Sequence, residues 1–419
     1  MVSITGLFIL FSLPLRLLWV VIKYPFDGGA KGKYHNSLSK ALKMEICKFA
    51  ISLSVEDSSV LALMKTNFVI NTMVKTFHSS LTKLNNYGKR FDKQSIWIVE
   101  AENRTTSDPV IIFCHGGGFF LETQPQHIET LLSMYYLLDE KKRARTSILV
   151  LEYGLACHGH LVGTQVYELA ATHTKLTSEG NDNIILMGDS CGGNLCTVFL
   201  QYLKHQSKVP SLPWPRSLVL ICPWIKIVPD RFQLTPGHSY HDNEKYDMVE
   251  ANFMLDQKRQ ASLFGDTNYA DLFISPGNVE YKTSDWDGIP TLRSKGYSTF
   301  VITGEHEVFR DDTLEWARYA LGSPLKPPSD DSGGQFNSAT HEYKQQGNDG
   351  AYIEVVIEPW GIHESVIFFE HTAIEVVKKK PFVKLTDMDA FEYFGMVRIT
   401  DFLNKTLVTG YDRGVPGES

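Results

Sequence analysis

Apolar residues are spaced differently in the two parts of the chain. Residues 23–90 contain two stretches with helix-like spacing, 39–49 and 60–77. Short apolar runs then recur and predict strands at 96–99, 110–114, 147–151, 184–187, 218–222, 300–303 and 352–358. Amphipathic segments between these runs predict helices at 165–175 and 194–205. Strands that alternate with helices of about a dozen residues predict an α/β fold, with a mostly parallel central sheet flanked by helices.

The first apolar stretch, residues 4–22, is interrupted only by Pro14 and Arg16. A helix of this length just crosses a bilayer core, and the surrounding Leu, Ile and Phe residues offset the cost of Arg16. No strongly basic segment precedes the stretch, which disfavours a cleaved signal peptide; that reading and a buried amphipathic helix remain the alternatives. We therefore predict an uncleaved transmembrane signal-anchor over 1–22 and one folded body over 23–419, attached to the membrane only at its N-terminus.

Composition narrows the possible functions. The chain has a net charge of −7, 43% hydrophobic and 21% charged residues, which fits a globular protein and excludes a disordered or multi-pass one. A mildly acidic chain gives no electrostatic reason to expect nucleic acid as a partner. The six cysteines form no CxxC pair, so no metal site is predicted. One polar stretch, 323–350, predicts a surface loop or insertion.

A glycine-serine-glycine pattern follows the fourth predicted strand. Residues 188–192 read Gly-Asp-Ser-Cys-Gly, with Ser190 at the centre. A nucleophile held on a tight turn between strand and helix needs small neighbours two residues away on both sides. The N-terminus of the helix that follows favours negative charge at the same place. Ser190 is therefore the candidate nucleophile.

A run of glycines follows the second predicted strand, where residues 115–118 read His-Gly-Gly-Gly. Consecutive glycines expose backbone N–H groups to a substrate oxygen, as an oxyanion hole requires, although the run alone also fits a phosphate-binding turn. Together with Ser190, it predicts an oxyanion hole. We expect its donors to be the backbone N–H groups of Gly117, Gly118 and Cys191, with His115 and Gly116 shaping the loop.

These two motifs resemble the hormone-sensitive-lipase-like branch of the α/β-hydrolases over residues 95–370, and so does Cys222-Pro223-Trp224. Within that branch the chain is most similar to the fungal steryl acetyl hydrolases, which carry an N-terminal membrane anchor. The resemblance implies an α/β-hydrolase fold and hydrolysis of acetylated sterols at the endoplasmic reticulum, without a cofactor. A signature of bacterial relatives is reduced here to Tyr153-Gly-Leu-Ala156, so the substrate contacts made there are not carried over.

The chain order Ser, acid, His of this fold predicts the rest of a catalytic triad. The acid follows the next-to-last strand, where the family pattern aligns with Glu307. Its rivals in the same loop are Glu305, Asp311 and Asp312. The base follows the last strand, which selects His363. In this scheme His363 takes the proton of Ser190, and Glu307 holds the imidazole.

The predicted activity is a serine esterase that hydrolyses a hydrophobic acetate ester, a sterol acetate by resemblance. The alternatives are another carboxylesterase or lipase, or an amidase or arylformamidase, since the triad does not separate esters from amides. A non-enzymatic receptor on the same scaffold is disfavoured because every triad member is present. Residues 23–90 and the aromatic-rich 225–275 are predicted to form a helical cap over the site, with ordinary core packing as the alternative.

Two signals conflict on the side of the membrane. The positive-inside rule would place the lysines after the anchor in the cytosol; they are Lys23, Lys31, Lys33 and Lys40. The sequons at Asn103 and Asn404 suit a lumenal body instead. The resemblance also implies the lumen, so we predict a single-pass protein of the endoplasmic reticulum membrane with a lumenal catalytic domain. Asn404, near the C-terminus, is the better candidate for a glycan.

Overall fold

The computed structural model describes residues 3–206, 212–380 and 382–409. Its centre is a sheet whose strands are β1 Ser95–Val99, β2 Val110–Cys114, β3 Ser147–Leu151, β4 Ile184–Asp189, β5 Ser217–Ile221, β6 Ser298–Gly304, β7 Glu342–Gln345 and β8 Tyr352–Glu358. In space the order is β1-β3-β2-β4-β5-β6-β8-β7. The inner neighbours pair in parallel, and β1 and β7 are antiparallel edge strands. The predicted mostly parallel α/β sheet is confirmed.

The parallel strands are apolar throughout because helices cover both faces of the sheet. Along β2, Val110 and Ile112 face one apolar core, whereas Ile111 and Phe113 face the other. Successive side chains of a strand point to opposite faces, so each strand contributes to both cores. The carboxyl ends of the parallel strands meet along one edge, where the candidate residues at 115–118, 190, 307 and 363 follow β2, β4, β6 and β8.

The α-helices of seven or more residues in the described chain are α1 Ile4–Asp27, α2 Leu38–Ser52, α3 Pro125–Leu137, α4 Gln165–Ser178, α5 Cys191–His205, α6 Gln257–Phe264, α7 Arg310–Leu321, α8 Ala373–Lys379 and α9 Phe394–Thr406. Helices α4, α5 and α7 cover one face of the sheet. Helices α3, α8 and α9 cover the other. Four-residue helices lie at Glu140–Arg143, Ser239–Asp242, Pro290–Arg293 and Ser338–His341.

The segment 23–90 does not form a cap along its whole length. The predicted helix at 60–77 is a 3₁₀ segment, Asp57–Leu63, followed by a helical run whose middle, Val69–Val74, has π-helical bonding. Val69 and Val74 are buried in the same core as β1 and β2. The later half of 23–90 therefore belongs to the core under the sheet, and helical spacing alone did not distinguish that position from a cap.

The polar stretch 323–350 contains regular structure that its composition does not predict. Residues Ser338–His341 form a helical turn, and β7 pairs with β8 from Glu342 opposite Val356 to Gln345 opposite Ile353. Every residue of β7 is half-buried. An edge strand with one neighbour needs no apolar run, so periodicity gives no signal for it.

Helix α1 continues to Asp27, five residues beyond the predicted end of the anchor, and it packs along α2. Within the described residues, α1 is the one helix long and apolar enough to cross a membrane. Its start is held to the body, because the backbone N–H of Ser3 and the Oγ of Ser3 donate to the two carboxylate oxygens of Asp57, both at 2.7 Å. The predicted division at residue 22 is therefore not a structural boundary.

Lys33 fixes the turn after α1 to the carboxyl edge of the sheet. Its Nζ lies 2.6 Å from Oε1 of Glu358, at the end of β8, and 3.5 Å from Oε1 of Glu370. All three side chains are about 98% buried, since each has an exposure of 1–2%. Burial opposes the charge of Lys33, but the two carboxylates outweigh it and raise the pKa of the ammonium group. Burial also raises the pKa of Glu370, to about 7, against the effect of Lys33.

We expect Lys33→Met to lower the free energy of unfolding by about 3–5 kcal/mol, because it leaves two carboxylates buried without a counter-charge. Urea unfolding followed by tryptophan fluorescence would measure the loss. Lys31→Met is the matched control, since Lys31 lies two residues earlier and is exposed. Equal unfolding midpoints for the two variants would contradict this prediction.

Candidate active site

Ser190 sits on a sharp turn between β4 and α5. Its backbone has φ 49° and ψ −119°, a conformation that non-glycine residues rarely adopt. Close packing enforces the turn: a Cβ on Gly192 would lie 1.9 Å from the carbonyl oxygen of Cys114, and one on Gly188 would lie 2.4 Å from that of Gly192. The backbone N–H of Ser190 donates to Ile221 at 3.0 Å. The glycines of the motif are therefore required sterically, and they hold Ser190 at the carboxyl edge of the sheet.

The structure brings Ser190, His363 and Glu307 into one hydrogen-bonded chain. His363 Nε2 lies 3.0 Å from Ser190 Oγ, and His363 Nδ1 lies 2.8 Å from Glu307 Oε1. The second oxygen of Glu307 accepts from Thr303 Oγ1 at 2.7 Å and from the backbone N–H of Gly304 at 2.8 Å. All three site residues are buried. With its carboxylate fixed at both oxygens, Glu307 can orient the imidazole so that Nε2 faces the hydroxyl.

The three rival carboxylates in the Glu307 loop have other partners. Glu305 accepts from the backbone N–H groups of Ser332 and Trp360, each at 2.8 Å. The other two, Asp311 and Asp312, accept from Ser239 N at 2.9 Å and from Gln233 Nε2 at 2.8 Å. Of the four, Glu307 is the carboxylate that the structure places against His363.

Asp247 is a site residue that sequence reasoning missed. Its carboxylate accepts the backbone N–H groups of Met248, Val308 and His363, at 2.7, 2.7 and 3.1 Å. It thereby joins the 225–275 segment to the loops that carry Glu307 and His363. Burial raises the pKa of Asp247 to about 6. No motif surrounds it, so only the tertiary contacts reveal it.

The glycine loop packs against the Ser190 turn from the other side. Gly117 and Gly118 have φ of 104° and 62° and line the cavity beside Ser190 and His363. Cys191 is the first residue of α5, where a backbone N–H has no partner within the helix. His115 stacks on Tyr153 with ring centroids 4.3 Å apart, and its Nδ1 lies 2.7 Å from the carbonyl oxygen of Gly116. His115 is thus placed to shape the loop, away from the imidazole of His363.

A buried acidic group lies behind the glycine loop. Asp189 Oδ2 accepts from the backbone N–H of Gly116 at 2.8 Å and lies 3.2 Å from His127 Nε2. Glu364 comes directly after His363. One of its carboxyl oxygens lies within 4.8 Å of a carboxylate oxygen of Asp189 and of a ring nitrogen of His127. Burial and then the charge of Asp189 raise the pKa of Glu364 well above its usual range. The raised pKa favours a protonated Glu364, whose hydroxyl can serve as a donor toward Asp189. Oδ1 of Asp189 and both carboxyl oxygens of Glu364 have no hydrogen-bond partner among the described residues.

The raised pKa of Glu364 predicts how stability depends on pH. The folded protein retains a proton that the unfolded chain releases near pH 4.5, so this contribution to stability is complete at low pH and falls as pH rises. In Glu364→Gln the side-chain NH₂ group can donate a hydrogen bond at every pH, because the amide does not titrate. We expect its unfolding temperature to exceed that of the wild type at pH 8, with the difference shrinking toward pH 5. Scanning calorimetry at both pH values measures it, and a pH-independent difference would contradict the protonated state.

A deep apolar cavity of about 590 Å³ ends at Ser190 and His363. Its walls include α1, α2 with the 3₁₀ segment after it, the glycine loop after β2, the loop after β5, and the turn after β8. The lining residues include Leu13, Leu42, Ile46, Phe49, Ala50, Met64, Trp224, Val249, Phe253 and Phe368. Residues 39–64 and 224–253 therefore cover the site. Among the aromatic residues of 225–275, Phe253 lines the cavity, whereas Phe232 is exposed and Tyr240 packs on Phe309.

The two sequons, of which Asn404 is the predicted glycan site, differ in their surroundings. Asn103 is exposed in a turn with φ 51°. Asn404 lies within α9, and its side-chain oxygen accepts the backbone N–H of Asp139 at 2.9 Å. A glycan at Asn404 would have to break that bond on a packed helix. Asn103 is therefore the better acceptor.

Comparison with known proteins gives a consistent result. A family model described as steryl acetyl hydrolase matches residues 35–322. A Schizosaccharomyces pombe protein named for the steryl acetyl hydrolases is 28% identical over 334 residues, which are 75% of this chain and 84% of that protein. Steryl acetyl hydrolase 1 of Saccharomyces cerevisiae is 28% identical over 123 residues, 28% of this chain and 27% of the yeast protein. The family match ends before β8 and therefore does not include His363.

Solved structures support the same fold. An esterase from the bacterial hormone-sensitive lipase family has a TM-score of 0.50 and 18% identity, covering 87% of this chain and 98% of its own. A thermostable esterase from Pseudomonas putida has a TM-score of 0.52 and 16% identity, covering 87% of this chain and 97% of its own. These likenesses show the α/β-hydrolase fold, as predicted.

Proposed function

The chain belongs to the steryl acetyl hydrolase family and is a carboxylic-ester hydrolase, and we propose that it removes the acetyl group from acetylated sterols. The proposed catalytic residues are Ser190, His363 and Glu307. The observation that carries this assignment is the hydrogen-bonded chain from Ser190 Oγ through both nitrogens of His363 to Glu307. The cavity that ends at this chain is apolar, which suits a sterol better than a charged alcohol.

In the proposed reaction Ser190 Oγ attacks the acetyl carbonyl carbon while His363 Nε2 takes the hydroxyl proton. The carbonyl oxygen becomes an oxyanion, which the backbone N–H groups of Gly117, Gly118 and Cys191 stabilise. The bond to the sterol oxygen then breaks, and His363 gives its proton to that oxygen, leaving an acetylated Ser190. Water attacks the acetyl group with His363 again as the base, so that acetate leaves and Ser190 is restored.

A substrate comparison tests this proposal against its alternatives. The purified full-length chain is assayed with a sterol acetate, p-nitrophenyl acetate and an aryl formamide. We expect hydrolysis of both acetates and the higher kcat/KM for the sterol acetate. Preference for the formamide would favour an arylformamidase, and activity confined to p-nitrophenyl acetate would favour another carboxylesterase.

The role of the cavity can be tested separately with Ala50→Trp. Ala50 lies on α2 and lines the cavity, so a tryptophan there fills space that a sterol needs. We expect kcat/KM for the sterol acetate to fall about tenfold or more, with little change for p-nitrophenyl acetate. Ala50→Ser is the matched control. An equal loss on both substrates would indicate damage to the catalytic groups and not a sterol pocket.

We also propose that α1 attaches the protein to the endoplasmic reticulum membrane with the body in the lumen. Only a lumenal body can receive a glycan. We expect endoglycosidase treatment to shift the gel mobility of the wild type and Asn404→Gln equally, and to leave Asn103→Gln unshifted. An unshifted wild type whose body is protease-sensitive in sealed microsomes would place the body in the cytosol.

A further inference from the structure

Helix α1 contacts the body along its whole length. At its first residues, Ser3 is bonded to Asp57, and a Cβ on Gly6 would lie 2.4 Å from Cγ of Asp57. At its end, the backbone N–H of Asn36 donates to the carbonyl oxygen of Gly28 at 2.9 Å, which folds the next turn back onto the helix. A helix of 24 residues is about 36 Å long, more than the ~30 Å of a hydrocarbon core. If α1 spanned the bilayer, the residues of the body that contact its two ends would have to lie on opposite sides of the membrane.

The residues beside α1 do not suit the interior of a bilayer. Arg16, halfway along α1, pairs with Glu45 of α2, with Nη1 and Oε1 3.6 Å apart. Lys48 of α2 lines a shallow pocket together with Trp19 and Lys23 of α1. Charged groups in hydrocarbon are costly, and α2 carries them next to the middle of α1. The contacts of α1 are therefore compatible with a helix at the membrane surface and not with one that crosses it.

The outer side of α1 is a continuous apolar stripe. Its members recur every three or four residues, so they share one face of the helix. They are Ile4, Phe8, Phe11, Leu15, Leu18, Trp19, Ile22 and Phe26. Phe8, Phe11 and Phe26 have exposures of 74, 77 and 89%. The side toward the body carries the ion pair of Arg16 with Glu45, whereas the outer side is apolar and is the part of α1 that can enter a leaflet.

The cavity opens beside this helix. Leu13 of α1 lines it, and so do Ile46 and Met64, which are 46 and 39% exposed. Leu13 lies on the side of α1 toward the body, and the cavity wall continues from it to the exposed side chain of Ile46 on α2, the helix that packs along α1. A lipid ester dissolved in the leaflet could enter the cavity without crossing water.

We propose that α1 lies flat in one leaflet of a lipid bilayer, with its stripe among the acyl chains and the cavity entrance facing the same leaflet. This arrangement replaces the spanning anchor that the sequence predicts. It puts both ends of α1 and the body on one side of the membrane. The entry of the substrate from the leaflet rests on the proposed function, whereas the orientation of α1 does not.

A thiol cross-link tests the orientation without any measurement of activity. Ser3→Cys and Asp57→Cys are combined in a chain whose partly exposed Cys47 and Cys157 are replaced by serine. After oxidation in sealed microsomes and denaturation, maleimide-polyethylene glycol counts the free thiols. We expect the double variant to lose two tags and each single variant to lose none. A full set of tags in membranes together with a loss of two in detergent would mean that α1 spans the bilayer, and a full set in both would refute the packing of α1.

A second measurement avoids replacing Asp57, which holds α1. An epitope tag is placed before Met1 of the otherwise unaltered chain, and sealed microsomes are treated with protease. A flat helix predicts that the tag and the body are protected together or cleaved together. Opposite outcomes for the tag and the body would overturn the proposal.

Substrate entry is tested with Phe8→Asp combined with Phe11→Asp, since neither residue lines the cavity. We expect hydrolysis of a sterol acetate in phosphatidylcholine vesicles to fall about tenfold or more, because the stripe loses its affinity for the leaflet. Hydrolysis of soluble p-nitrophenyl acetate should not change. Unchanged vesicle hydrolysis would refute entry from the leaflet, and a wild type inactive on both esters would instead refute the proposed function.

Discussion

Ser190→Ala is expected to lower kcat for p-nitrophenyl acetate by about 10⁵–10⁶-fold, which is the largest effect anticipated for a single substitution in this chain. The oxygen that forms the bond to the acetyl carbon is removed, and no neighbouring hydroxyl replaces it within the hydrogen-bonded chain. The remaining rate would come from the glycine loop and from substrate binding. Cavity and fold should persist, because the alanine keeps the Cβ and only the Oγ is lost.

Ser323→Ala is the matched control, since Ser323 is a buried serine outside the cavity. Its activity should stay close to that of the wild type. His363→Ala should cost nearly as much as Ser190→Ala, and the double variant should be no worse than either, because the residues act as a unit. Activity of Ser190→Ala within about tenfold of the wild type would remove Ser190 from the mechanism.

The strands that sequence periodicity predicts are those that helices cover on both faces. Continuous apolar runs such as 110–114 and 147–151 are typical of strands buried on both faces, and the structure places β2 and β3 there. β7 carries no such run because it lies at the edge and is only half-buried. For 23–90, helical spacing shows that one side is buried but not against which part of the protein, so Val69 and Val74 under the sheet could not be distinguished from cap residues.

The residues of the candidate site also fall into two groups, those that local sequence predicts and those that depend on tertiary contacts. Ser190 and the glycine loop follow from local rules, since a turn that brings Gly192 against Cys114 tolerates no larger residue. Asp247 and Glu364 could not be predicted because their properties come from contacts distant in the chain. An isolated aspartate or glutamate in a sequence is solvated by default, and only burial beside the His363 loop makes the one a backbone acceptor and raises the pKa of the other.

The proposed orientation of α1 shows a related limit. Hydropathy measures whether a segment of 19 residues is apolar, and a helix that lies on a membrane can satisfy the same test as a spanning helix. Arg16 is the residue that distinguishes them: it interrupts the apolar stretch, and in the structure it meets Glu45 on the body. A charge that is costly in a spanning helix is therefore a pairing group in a helix that lies along the protein.

Glu307→Gln is expected to lower kcat about 10³–10⁴-fold, less than the loss of Ser190 or His363 because the nucleophile and base remain. The amide is nearly isosteric, so the effect is electronic: its NH₂ group can donate where His363 Nδ1–H needs an acceptor. The imidazole then has to turn or adopt the other tautomer, and the imidazolium formed during attack loses its counter-charge.

Glu305→Gln provides the control for that loss, since Glu305 is buried two residues away and carries the same carboxylate. Its oxygens accept from Ser332 and Trp360 and do not touch His363, so we expect less than a tenfold change in kcat. Both variants are compared at pH 8 on p-nitrophenyl acetate, with unfolding temperature as a check on the fold. A larger loss in Glu305→Gln at an unchanged unfolding temperature would transfer the catalytic role to Glu305. The two carboxylates differ in one respect that bears on the reaction, the 2.8 Å contact between Glu307 Oε1 and His363 Nδ1, and the comparison isolates that contact.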